Sequence, residues 1–231
     1  MKFRIKHNHI VSFSGGKDST AMLFMMLEKG MPVDAVVCAD TGYEFPEMYE
    51  HISEVEKRIA PIEIHRVDIE FDYWFDHVRT KGPRKGTRGM GWPNIHQRWC
   101  TGQKRDYCVR YIRYHWGIVL TEYIGFTANE EARTRNGIQR KKWDVSFPLI
   151  EWGITEEQSL SYCYDMGFDW GGLYEKMSRV SCYLCPLQRN SELKVVHDEY
   201  PELWNKIVEL DKISERPFKD GLDKLEAGWT R

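Results

Sequence analysis

The chain has 231 residues, 42% of them apolar, and six cysteines, which is enough for one sizeable core plus an extension and too few cysteines for a disulfide scaffold. Its 33 Lys and Arg nearly balance 35 Asp and Glu, so the net charge of −2 says little about partners and the distribution of charge says more. No apolar run approaches a membrane span, and Met1 to Lys6 lacks the apolar stretch of a signal peptide, so a cytoplasmic chain with no membrane partner is expected.

In chain order, Ile10–Ser14 reads as a buried strand and is followed by Ser14-Gly15-Gly16-Lys17-Asp18-Ser19. A helix then opens at Ser19 and closes near Gly30. Val33–Ala39 and Ile62–Val67 are the next strands, and between them Glu47–Ile59 forms a helix after Pro46, with Met48, Ile52, Val55 and Ile59 at helical spacing. From Thr80 to Asn94 glycines and prolines break every period. A helix resumes from Thr101 to about His115 with Tyr107, Tyr111 and Ile112 on one side, and Leu120–Gly125 is the fourth strand. Phe126 to Asp144 is a polar, basic loop, and helices follow at Thr155–Met166, Ser191–Glu199 and Pro201–Ser214. The alternation predicts an α/β fold, a doubly wound, mainly parallel sheet of Rossmann type with a C-terminal helical extension. The expected division is 1–150 for the nucleotide-binding domain and 151–231 for the extension.

Two adjacent glycines let the backbone turn tightly and present N–H groups to a phosphate, and the helix that follows aims its positive end at the same anion. The loop lacks the G-x-x-x-x-G-K-[ST] spacing of a Walker A site. Lys17 is expected to be an exposed loop lysine. Asp40-Thr41-Gly42, at the end of the second strand, places a carboxylate where it would accept from a ribose or adenine or help hold Mg2+.

Ser14–Ser19 resembles the PP-loop of the ATP pyrophosphatase family, which splits ATP between its α and β phosphates and commonly adenylylates a substrate. Asp40 to Glu47 resembles the DTGYxFPET segment of the phosphoadenylylsulfate (PAPS) reductase branch, Arg98-Trp99-Cys100-Thr101 its RWCC or RWCT segment, and Ile124 to Arg133 its G-x-R-x-x-E-S-x-x-R segment. Phe147 to Trp152 with Gly172-Leu173-Tyr174 echoes its YPLxxW and PLY turn. Thr127 stands where that branch usually has Arg. Glu226 to Arg231 contains no nucleophilic Cys-Gly-x-His segment, which weighs against a thioredoxin-coupled reductase.

The resemblance implies roles residue by residue. Ser12, Ser14, Gly15, Gly16, Lys17, Asp18, Ser19, Asp40, Thr41 and Gly125 are the expected nucleotide contacts. Lys17 and the loop N–H groups would bind departing pyrophosphate, with Asp18 and Asp40 near Mg2+ and Cys100 joining Lys17, Asp18 and Asp40 as catalytic residues. Arg98, Lys104 and Arg133 are the expected anion-binding residues.

Cys182-Tyr183-Leu184-Cys185-Pro186 is a C-x-x-C-P turn that lets two thiolates face one metal, and Cys100 is its natural third ligand. In iron-sulfur members of the wider family such cysteines hold a [4Fe-4S] cluster, and three of them would leave one iron open. Zn2+ completed by Cys108, His96 or His197 is the competing reading, and a metal-free pair is the third. Cys38 and Cys163 lie in apolar patterns and are expected in the core.

Basic residues crowd Arg79 to Arg113, and Arg133, Arg135, Arg140, Lys141 and Lys142 form a second stretch. A nucleic acid acceptor, tRNA or DNA, would suit them, with Trp92, Trp99 and Trp143 as stacking surfaces; a solvated or ATP-binding face would equally suit them. The expected activity is therefore ATP-dependent adenylylation for sulfur transfer by a homo-oligomer. Reduction of an adenylyl sulfate (PAPS or APS) and nucleotide binding with structural zinc are the alternatives.

Overall fold

A computed structural model describes residues 6–134 and 143–229; Arg135, Arg140, Lys141 and Lys142 of the second basic stretch lie outside them. The strands are β1 (Asn8–Phe13), β2 (Ala35–Asp40), β3 (Ile64–Asp68), β4 (Leu120–Ile124) and β5 (Asp144–Ser146), in the order β3-β2-β1-β4-β5. β1 pairs in parallel with β2 and β4, and β4 with β5. The four expected strands are present within two residues of their expected bounds. β5 was not expected, because three residues carry too little pattern to stand out from a loop.

The order changes direction at β1, so the loops leaving β1 and β4 diverge there, which is where open α/β sheets bind ligands. The helices before the C-terminal stretch are α1 (Lys17–Glu28), α2 (Pro46–Arg58), α3 (Phe71–Asp76), α4 (Trp99–Trp116), α5 (Glu131–Thr134), α6 (Pro148–Glu151) and α7 (Glu156–Asp165). They are followed by α8 (Leu173–Lys176), α9 (Asn190–Glu199), α10 (Pro201–Ile213) and α11 (Leu222–Ala227). α3 and α11 are each six residues, too short for helical periodicity to declare itself. None of the described helices is long and apolar enough to cross a membrane.

The chain forms two compact units, neither continuous in sequence. The first takes the described residues within 1–39, 46–67 and 106–173. The boundary expected at 150 falls inside this unit, because α6 and α7 pack on α1 and complete the burial of its apolar face. One face of the sheet packs Ile10, Val37, Val67 and Leu120 against Ile112 of α4, with Tyr107, Cys108 and Tyr111 beside them. α2 buries Met48, His51, Ile52 and Val55, one helical stripe, behind Pro46 at its first position. A capping box at α7, in which Thr155 accepts from the Gln158 N–H and Gln158 from the Thr155 N–H, fixes where that helix begins.

The second unit takes the described residues within 40–45, 68–105 and 174–231. Aromatic side chains dominate it: Phe71 packs on Tyr43 and Trp99, and Trp92 stands edge-on between Phe75 and Phe218. Trp92 and Trp99 here and Trp143 in the first unit, expected as stacking platforms for bases, are all buried, and each indole N–H is engaged: Trp92 donates to Asp211, Trp99 to the Gly91 carbonyl and Trp143 to Glu122. They are core residues because a ring that size buries more apolar area than any other side chain once its N–H has a partner. The 80–94 segment is a tight excursion closed by a bridge between Val78 and Arg88. It packs so closely on α3 that a Cβ at Gly89 would lie 1.7 Å from the Phe75 carbonyl oxygen.

Candidate functional site

In the first unit β1 delivers Ser14 to Ser19 to the head of α1. Gly15 has φ +76°, and a Cβ there would lie 2.6 Å from Met48 Sδ, so only glycine allows this turn against α2. The loop is braced internally by the Ser14 and Ser19 hydroxyls, 3.0 Å apart, and by the Ser19 hydroxyl donating to the Gly16 carbonyl at 3.0 Å. Trp170 Nε1 donates to the Gly15 carbonyl at 2.9 Å, and the Cys163 thiol to the Lys17 carbonyl at 3.3 Å. Carbonyls are thus tied back into the protein. Gly16 caps α1 without a side-chain hydrogen bond, which leaves the helix entrance with the donor-rich, positive character that attracts anions. Gly125, just past β4, is constrained by close approach alone: a Cβ there would lie 3.0 Å from Ser19 Cα.

Lys17 is not the exposed loop lysine that was expected. It is only 7% exposed, and its ammonium donates to both Asp18 oxygens at 2.8 and 2.9 Å and to Glu156 at 3.2 Å. Burial raises the Asp18 pKa, the Lys17 ammonium opposes that, and the negative charges of Glu156 and Glu130 push it up further. Local acidity therefore exceeds what Lys17 neutralises, and these oxygen donors are the chemistry Mg2+ prefers.

Behind the loop, Thr20 is fully buried and its hydroxyl meets His51 Nε2 at 2.9 Å, with Trp170 4.3 Å from the imidazole. Burial, then the charge of Arg58, lowers the His51 pKa from 6.5 to about 3. Because the folded value lies below the unfolded one, His51 contributes stability above pH 6.5 that is lost as pH falls toward 3. Between those limits His51 should cost about 1.4 kcal/mol per pH unit. In urea titrations at several pH values, the stability difference between wild type and His51→Gln should shrink on acidification. Parallel pH dependence of the two proteins would exclude His51 as the titrating group.

Other expected contacts are engaged elsewhere. The Ser12 hydroxyl donates to Glu122 at 2.7 Å, a buried carboxylate that also accepts from Trp143. Thr127 is fully buried and its hydroxyl has no protein partner among the described residues. Arg133 pairs with Glu130 and covers the Phe126 ring at 4.2 Å.

In the second unit Asp40 accepts from the Gly42 N–H at 2.8 Å, and Thr41 donates to Glu44 at 3.1 Å while accepting from the Tyr43 N–H. Glu44 also holds Lys104 at 3.0 Å. Arg98 is exposed at the entrance to α4. Burial by itself would lower the Lys104 pKa, but Glu44, Cys182 and Cys100 outweigh it and raise the pKa. Burial pushes the Cys182 thiol well up, with Lys104 only partly opposing it, and pushes Cys185 up against the N–H of Leu187. Each of these thiols also feels Cys100, so the fold brings Cys100, Cys182, Cys185 and Lys104 within electrostatic reach of one another. Among the described residues no group of three or more His, Cys, Asp or Glu stands in an arrangement that would hold a metal ion. The donor chemistry fits a thiolate-bound metal, and the ligand geometry is not formed. Of the residues considered for zinc, Cys108 packs in the first unit's core, His96 is exposed, and His197 meets Asp198 at 2.6 Å. Cys38 and Cys163 are buried, as expected.

Glu156, Trp170 and Glu44 were not singled out from sequence. Nothing local marks them, since each acts on a partner distant in sequence or through a turn whose geometry decides where it points.

A relative from Methanocaldococcus jannaschii, described as uncharacterized, is 27% identical over 219 residues, covering 88% of this chain and 41% of its own length. The chain thus spans well under half of that relative. The Phosphoadenosine 5'-phosphosulfate reductase of Alteromonas mediterranea is 45% identical over 62 residues, 26% of this chain and 25% of that protein. Among solved structures, the U34-tRNA thiolase NcsA from Methanococcus maripaludis with its [4Fe-4S] cluster superposes with a TM-score of 0.48 at 14% identity, over 90% of this chain and 73% of that one. The profile of the Phosphoadenosine phosphosulfate reductase domain matches residues 8–188, and with the Ser14–Ser19 loop at the head of α1 the chain belongs to that PP-loop family.

Proposed function

We propose that this chain is an ATP pyrophosphatase that adenylylates an acceptor as the first half of a sulfur transfer. The observation that carries the reading is the entrance to α1: amide-rich, without a side-chain cap, and flanked by a buried lysine and acidic oxygens. An acceptor oxygen would attack the α-phosphorus, the bond to the β-phosphate would break, and pyrophosphate would leave with the bonding electron pair. The acceptor's proton would pass to solvent. Lys17 and the helix entrance would take up the charge that develops on the leaving group. Asp18 would be an Mg2+ ligand, and the ion would supply further neutralisation of the phosphates. A sulfur nucleophile would then displace AMP from the activated acceptor.

In the second unit, Cys100, Cys182 and Cys185 would hold a [4Fe-4S] cluster or Zn2+, which when bound would supply a site for sulfur. Lys104 and Glu44 would fix the charge around those thiols. Reduction of an adenylyl sulfate is the second reading, and the family description favours it.

The products separate the two. Incubated with ATP, Mg2+ and a suitable acceptor, the protein should release pyrophosphate with formation of an adenylylated acceptor, and on addition of a sulfur donor it should release AMP in an amount equal to the pyrophosphate. Sulfite from an adenylyl sulfate, with no pyrophosphate from ATP, would replace the first reading by the second.

A further inference from the structure

A cleft of about 270 Å3 opens in the second unit between the Arg79–Gly91 excursion and the turn after α10. Four arginines line it, Arg79, Arg84, Arg88 and Arg216, against two carboxylates, Asp76 and Glu215. What these guanidinium groups touch is informative. Arg88 is neutralised by a two-point pair with Asp76, at 2.5 and 3.1 Å. Among the described residues, Arg79 donates its side-chain hydrogen bonds to the Gly89 carbonyl at 3.0 Å and the Met90 sulfur at 2.8 Å. Arg216 donates to the Gln97 side-chain oxygen at 2.8 Å. Neutral acceptors orient a guanidinium without cancelling its charge, so Arg79 and Arg216 are held in place with their charge intact. Arg84 is exposed on the same rim. The cleft's charge excess is thus concentrated on groups whose fork geometry suits phosphate oxygens.

We infer that this cleft seats a phosphate of a polynucleotide backbone. A single small phosphate would use the cleft alone. The same excursion, however, also presents Lys81 and Lys85, both exposed, so the positive charge continues beyond the cleft along the chain, as an extended polyanion requires. Recognition would be of the backbone rather than of bases, because the nearby Trp92 and Trp99 are buried. This deepens the reading above by giving the acceptor a chemical class, and its test contains no ATP, so the two fail separately.

The test is fluorescence anisotropy of a labelled single-stranded DNA of about 20 nucleotides with the full chain, between roughly 50 and 200 mM salt. Wild type should bind with a log–log salt slope between about −2 and about −3.5, about 0.7 for each of Arg79, Arg84 and Arg216 and for each of Lys81 and Lys85 that the strand also reaches. Arg84→Gln/Arg216→Gln should flatten that slope by about 1.4 and weaken binding at least about tenfold, whereas Arg84→Lys/Arg216→Lys should keep most of it. Glu215→Gln, which removes a carboxylate from the cleft, should tighten binding by about threefold, a gain that misfolding cannot produce. An unchanged slope in the Gln variant, or no tightening in Glu215→Gln, would overturn the inference. So would salt-insensitive binding of AMP that is lost in the Gln variant without any binding of DNA, which would assign the cleft to a small phosphate.

Discussion

Lys17→Ala should reduce pyrophosphate release from ATP by at least about 10²- to 10³-fold, the usual cost of removing one preorganised charge from the place where negative charge develops. The structure also alters what the variant does to the fold. Lys17 is buried between Asp18 and Glu156, so its loss leaves two carboxylates facing each other without a cation. The Asp18 pKa, already raised by burial, should rise further, and stability should fall by about 1–3 kcal/mol. Lys17→Met, which keeps the stem and removes only the charge, gives the cleaner comparison. Both variants should remain folded by circular dichroism below a lowered melting temperature and should bind ATP more weakly. Cleavage within about twofold of wild type in a folded Lys17→Met would remove the loop from the reaction, since a catalytic charge of this kind has no ready substitute.

The second large effect concerns the thiols. After anaerobic purification, Cys100→Ser, Cys182→Ser and Cys185→Ser should each lose most of the bound iron and sulfide, or zinc, while Cys38→Ser and Cys163→Ser keep it. The contrast has a physical basis in where these groups lie. Cys163 is fully buried, its thiol is pushed up to about 12 by burial and then by Asp18, and it donates to a loop carbonyl, so it is a packing and bracing group. Cys182 and Cys185 are also raised by burial, but they interact with one another and with Cys100 beside a lysine. A metal must displace their protons. Loading should therefore weaken as pH falls, by up to about tenfold per pH unit for each proton released. Equal metal loss in all five variants would report unfolding and reject the site, as would full retention in all five or a wild type that binds neither metal.

How much of this was legible beforehand depends on the range of the interaction. Local signals were enough for four of the sheet's five strands and for the longer helices. Ile10–Phe13 is an apolar run followed by two glycines and a helix, and Glu47–Ile59 repeats its apolar residues every three or four positions, so backbone propensity and period point to one structure. The same locality marked Ser14–Ser19, since a tight turn feeding a helix is written in consecutive residues. Short elements carry no such signal: Phe71–Asp76 and Asp144–Ser146 exist because the surrounding chain holds them.

The sequence by itself determined the α/β class, the phosphate-type loop at the head of α1 and the kinship of Cys182 and Cys185 in one turn. Only the tertiary structure decided the rest. Burial of Lys17 depends on Glu156, 139 residues away, and the set of the loop depends on Trp170, 155 residues from Gly15. The three tryptophans became core because their indole N–H groups found Asp211, the Gly91 carbonyl and Glu122. Arg79 and Arg216 kept their charge because the chain set neutral oxygens beside them and gave Asp76 to Arg88. In each case the outcome turns on which partner lies within about 3 Å, a distance fixed by packing of remote segments and carried by no local pattern of residues.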